Sequence, residues 1–142
     1  MFAPRSPAAA YGNVSMDVGV NTADPHKLIL MLFDGALLCV ASARINMENG
    51  DIGGKGQQIS QAINIIANGL KVSLDMEAGG DLSEKLAALY DYMVTRLLQA
   101  NIHNQIPPLN EVSGLLGELK GAWTQIGGQN AQPDGVRAAV AA

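Results

Sequence analysis

A chain of 142 residues, 48% of them hydrophobic, can bury one proper core but is short for two domains. Its net charge of −4 and nine scattered Lys and Arg argue against nucleic acid, and a single cysteine rules out a disulfide framework within one chain. With only 4% aromatic residues, the core must be built from Leu, Ile, Val, Met and Ala, which suits helices packed on helices.

The amino terminus lacks the basic residues and continuous apolar run of a secretory signal. No segment reaches the roughly 20 uncharged apolar residues that span a bilayer. A reducing cytosol and no membrane insertion are therefore expected.

Residues 1–20 carry Pro4, Pro7, Gly12 and Gly19 and show neither helical period nor strict alternation. They read as an arm. Tyr11, Val14, Met16, Val18 and Val20 are spaced so that an extended segment could lay several of them against a groove; a tail without a partner is the plainer alternative.

The stretch that organises the rest begins at Asp24, which can accept hydrogen bonds from a first helical turn, followed by Pro25, whose fixed φ is already helical. A helix is predicted from Pro25 to about Asn49, ended by Gly50. Leu28 to Phe33 gives six apolar residues in a row, more than one face of a helix. One stripe is Leu28, Leu32, Cys39 and Ala43; a second is Ile29, Phe33, Ala36, Val40 and Met47. Only one of them is expected to face the bundle axis squarely.

Asp51 to Gly56 reads as a glycine-rich turn, with a second helix from Gln57 to Leu74 or Met76. Ile59, Ile63, Ile66 and Leu70 mark its apolar face, and Gly69 suggests close approach of another backbone. Gly79 and Gly80 break the chain, and Asp81 with Glu84 has capping-box spacing, so a third helix is predicted over 82–103. Its core stripe is Leu82, Leu86, Leu89, Met93, Leu97 and Ala100, with Tyr90, Val94 and Leu98 on a flank. Pro107 and Pro108 end that helix and a fourth is predicted over 109–126, stopped by Gly127 and Gly128. Residues 128–142 have no pattern and read as a disordered tail. Four helices joined by short turns make an all-α, antiparallel up-down bundle over 21–127 the simplest topology.

No catalytic constellation appears. The chain has no Glu-x-x-His pair for a di-metal carboxylate site, and neither His26 nor His103 is placed as a ligand. Cys39 reads as a small buried hydrophobe. Asp34 and Asp91 interrupt apolar stretches, and a solvated edge position suits them better than a buried pair. No enzyme, metal or cofactor is expected.

Tyr11, the run from Val20 to Leu37, Ser73 to Gly80, Leu89-Tyr-Asp-Tyr-Met93, and Glu111-Val112 with Leu115, Leu116, Leu119, Ala122 and Trp123 together closely resemble the FliS family of flagellar secretion chaperones over residues 11–126. Phe33 stands where that family commonly has tyrosine. The resemblance implies a cytosolic bundle that binds the carboxy-terminal segment of flagellin, keeps it from polymerising early and helps deliver it to a component of the flagellar type III export gate. In that family the amino-terminal segment can cap the binding surface. With the two flank stripes, it assigns partner binding to Tyr11, Val14, Ile29, Phe33, Leu37, Tyr90, Val94 and Leu98. The rival is a homodimer that buries these stripes against themselves.

Overall fold

The computed structural model describes residues 24–129. Asp24 caps the first helix, accepting from the backbone N–H groups of His26 at 3.1 Å and Lys27 at 3.4 Å. Helix α1 spans Pro25–Glu48, and Gly50, at φ 77°, supplies the left-handed residue beyond its end. Helix α2, Ile52–Ile65, continues through a π-helical turn, Ile66–Leu70, and a 3₁₀ turn, Lys71–Ser73. Helix α3 spans Met76–His103 and α4 spans Pro107–Gln129. Among the described residues there is no strand.

Backbones approach within 8 Å for α1 with α2, α2 with α3, α3 with α4 and α4 with α1, and for neither diagonal pair. That closed ring is an antiparallel up-down-up-down four-helix bundle. Both stripes of α1 are used inside it: Leu32, Cys39 and Ala43 are buried, and so are Phe33, Ala36, Val40 and Met47. The expectation that only one stripe faces the axis is corrected, because α1 lies between two neighbours and buries a broad arc against both. By length and composition α1 is apolar enough to cross a membrane; in the bundle its buried residues line the core and the rest of its apolar side chains stay partly or fully exposed.

The stripe of α3 is also corrected. Tyr90, only 5% exposed, belongs to the core with Met93, Leu97 and Ala100, whereas Leu82, Leu86 and Leu89 are half-buried. Packing has turned the helix toward Tyr90, a rotation that side-chain type alone does not set. Gly80, at φ 53°, ψ −126°, breaks the helix where expected, and a short helical turn from Met76 precedes that break.

Helix α2 starts at Ile52, five residues before the expected Gln57, because Asp51 accepts from the Gly54 backbone N–H at 2.9 Å and makes helix of what reads as a turn. A Cβ on Gly54 would stand 2.5 Å from Asp51 Oδ2, so glycine is what lets that cap close. Gly69 meets a side chain and no backbone: a Cβ there would lie 3.1 and 3.3 Å from the two methyls of Leu32.

Nor do Gly127 and Gly128 stop α4. A Cβ on Gly127 would collide with the imidazole of His26, so glycine makes room for a ring. His26 stacks on Trp123, with centroids 4.8 Å apart and planes 11° from parallel. Its Nε2–H donates to the Trp123 carbonyl at 2.7 Å, and the Trp123 indole N–H donates to the His26 carbonyl at 2.9 Å. This clasp joins the first turn of α1 to the last turns of α4.

Candidate functional site

The two helices richest in apolar residues differ in what they leave uncovered. On α1, Leu38 is 68% exposed and Ile45 is exposed one heptad later. On α3, Leu98 is 45% exposed and Ile102, four residues on, 72%. α1 and α3 are diagonal in the ring, so these two faces belong to helices that do not touch each other.

The residues expected to bind a partner are not gathered on one surface. Leu98 is exposed, whereas Ile29, Leu37 and Val94 are half-buried and packed against the core. Phe33 and Tyr90 are buried within it, so their side chains are not on a free flank. Burial pushes the Tyr90 hydroxyl up to about 12, and it raises the Cys39 thiol as well, so both stay neutral at physiological pH. Tyr11 and Val14 lie outside the described residues.

Sequence reasoning missed Leu38, Ile45, Ile52 and Ile102, all exposed. A signal was there for α1: Leu38 and Ile45 stand seven apart, on a third stripe that the two richer ones masked.

Ion pairs bound these faces. Asp34 pairs with Lys120 of α4 at 2.6 Å, and Asp91 with Lys71 at 2.8 Å, so each of these acids ties its helix to a neighbour. Arg96 donates to Glu111 at 2.6 Å and the Tyr92 hydroxyl donates to its other oxygen at 2.6 Å, bracing α3 against α4. The hydrogen bond from Tyr92, then that from Arg96, holds the Glu111 carboxyl below its ordinary range.

Between α2 and α3 a groove of about 580 Å³ opens to solvent, lined by Ile52, Gln57, Gln58, Ser60, Gln61 and Asn101. Beneath it Lys55, only 4% exposed, donates to the Asn101 carbonyl and to the Asn104 side chain, both at 3.1 Å. Among the described residues the ammonium has no carboxylate partner. It sits on a backbone carbonyl in the last turn of α3, where the helix dipole favours a cation. Among the described residues no three His, Cys, Asp or Glu side chains are grouped to hold a metal ion. Apolar faces on a rigid frame, bordered by amides, are suited to holding a chain.

The family model described as flagellar protein FliS matches residues 7–130. A flagellar secretion chaperone FliS of Salmonella typhimurium is 51% identical over 117 residues, covering 82% of this chain and 87% of the relative. FliSB of Pseudomonas aeruginosa is 46% identical over 116 residues, covering 82% and 91%. FliS of Bacillus subtilis is 37% identical over 124 residues, covering 87% and 88%.

Proposed function

We propose a function from the premise that this chain belongs to the FliS family, a family of flagellar secretion chaperones and not of enzymes. The chain acts in the cytosol, holds the carboxy-terminal segment of flagellin in apolar grooves, keeps it from polymerising before export and hands it to the flagellar type III export apparatus. The observation that carries this reading beyond the family is a folded bundle that leaves Leu38, Ile45, Leu98 and Ile102 open to water on two of its faces. An amphipathic segment laid into such faces gains affinity from burial alone and needs no reactive group. Residues 1–20 are proposed to cover part of this surface in the free chain.

The test is titration of the full chain with a flagellin carboxy-terminal peptide, followed by light scattering and calorimetry. A one-to-one complex is expected, weakened at least about tenfold by Leu98→Asp, because a carboxylate in an apolar contact costs well over 1 kcal/mol. Deleting residues 2–18 should tighten binding by removing a competitor. A chain that dimerises and ignores the peptide would favour the homodimer instead.

A further inference from the structure

The sequence holds two Asn-Gly pairs, Asn49-Gly50 and Asn68-Gly69, and the fold treats them in opposite ways. In such a pair the glycine nitrogen can attack the asparagine side-chain carbonyl with no side chain of its own in the way. Within a folded chain the rate depends on whether the backbone there is free to turn.

Asn68-Gly69 lies inside the π-helical turn Ile66–Leu70, with Gly69 buried. The Asn68 side-chain amide donates to the side chain of Asn64, and the two methyls of Leu32 stand 3.1 and 3.3 Å from where a Gly69 Cβ would be. Attack at this pair requires the helix to open and Leu32 to give way.

None of these restraints holds at Asn49-Gly50. Asn49 caps α1 with φ −91°, ψ 2°, and it is exposed. Among the described residues its side-chain amide has no hydrogen-bond partner. Gly50 is exposed at φ 77°, with nothing within 4 Å of its Cβ position. Its N–H makes a single bond of 3.2 Å, to the Met47 carbonyl. The left-handed residue that ends α1 calls for glycine, so the geometry of the turn itself places the least hindered neighbour beside this asparagine.

We propose that Asn49 is a site of spontaneous deamidation, a modification that ages the turn between α1 and α2. The Gly50 nitrogen bonds to the Asn49 side-chain carbonyl carbon, the side-chain nitrogen leaves as ammonia with the Gly50 amide proton, and a cyclic imide remains. Water then adds to either ring carbonyl and opens the ring, giving aspartate or an isoaspartate whose main chain runs through Cβ. Both products put a carboxylate beside Glu48 at the carboxy-terminal end of α1, where the helix dipole disfavours an anion. Arg44 is already engaged by Glu48 and Asn110. The isoaspartate also lengthens the main chain by a carbon just before Asp51. The Asp51 N–H closes the turn on the Asn46 carbonyl at 2.8 Å, and its side chain caps α2 at the Gly54 N–H, so the longer path loosens the start of α2.

The experiment incubates the full chain at physiological temperature, at neutral and at mildly alkaline pH, beside a synthetic peptide of residues 46–52 as the unstructured reference. Peptide mapping follows both pairs, and an isoaspartyl methyltransferase scores the isoaspartate. Asn49 should convert within about tenfold of the peptide's rate and at least about tenfold faster than Asn68, whose helix must open first. The rate should rise with pH, because the attacking nitrogen must lose its proton. Asn49→Gln should remove the acidic product at this turn and leave Trp123 emission unchanged. In the isoaspartyl form, separated by charge, hydrogen exchange at the Gly54 and Lys55 amides should be faster than in Asn49→Asp, which adds the charge without the extra carbon. Conversion at Asn49 slower than the stated range, or Asn68 keeping pace with it, overturns the proposal. Equal exchange in the two acidic forms overturns the effect on the start of α2.

Discussion

At one end of the bundle His26 and Trp123 close the gap between α1 and α4 by ring stacking and two reciprocal hydrogen bonds, in space that only the missing side chain of Gly127 provides. At the other end Lys55 closes the gap between α2 and α3, its ammonium donating to the Asn101 carbonyl in the last turn of α3 and to the side chain of the Asn104 cap. The first contact depends on shape and fails when an atom is added. The second depends on charge and donors and fails when they are removed. A ring of four helices is weakest where the ends fray, so it is there that the interhelical polar contacts become most specific.

The core between the ends sets the scale. Leu97→Ala, in the middle of α3 and fully buried, should cost about 2 to 5 kcal/mol in chemical denaturation. If either end variant below costs more than this, the ends are not trimming a core but holding the fold.

Lys55→Met should cost about 1 to 3 kcal/mol, because the Asn101 carbonyl and the Asn104 side chain lose their buried donor while the apolar stem is kept. Its loss should concentrate in faster hydrogen exchange at the end of α3. Unchanged stability would mean that the ammonium contributes no more than an apolar side chain of equal length, and the contrast between the ends would lose its charged half.

Gly127→Ala should cost about 1 to 2 kcal/mol: displacing the His26 ring outweighs the roughly 1 kcal/mol by which alanine favours a helix. Trp123 is the only tryptophan, so its emission should change in this variant and stay unchanged in Lys55→Met. A stabilised Gly127→Ala with unaltered emission would show that the clasp yields without loss.

The smallest effect is expected from a charged contact that is exposed. Tyr92 and Arg96 hold the Glu111 carboxyl lower in the folded chain than in the unfolded one, so the folded state binds that proton less readily. The contribution is present above the unfolded carboxylate value and is lost as pH falls through the folded one. Tyr92→Phe should flatten this acid limb of the stability curve slightly and leave stability at neutral pH nearly unchanged. A Tyr92→Phe loss as large as that of Lys55→Met would mean that burial is not what separates strong polar contacts from weak ones here.

Much of the bundle was legible because its signals are local. Asp24-Pro25 opens a helix by capping and a fixed φ, Gly50 ends one, and periods of three and four separate helix from strand wherever they run long enough. The apolar excess on α1 and α3 was legible too, since a count of apolar residues against one helical face needs no partner. Which of them stay exposed was not. Phe33 is about as apolar as Leu38 and Leu98, and Tyr90 less so, yet Phe33 and Tyr90 are core and Leu38 and Leu98 surface.

By itself the sequence determined four helices and a family resemblance, because capping, periodicity and residue order act within a few positions of the chain. Only tertiary structure decided the rotation of α3 toward Tyr90, the burial of both stripes of α1, the continuation of α2 and α4 through glycines, and the pairing of Lys55 and His26 with residues far along the chain. Each depends on which neighbour fills the space beside a residue, as Leu32 does at Gly69 and the His26 ring at Gly127. Local periodicity carries no record of that neighbour.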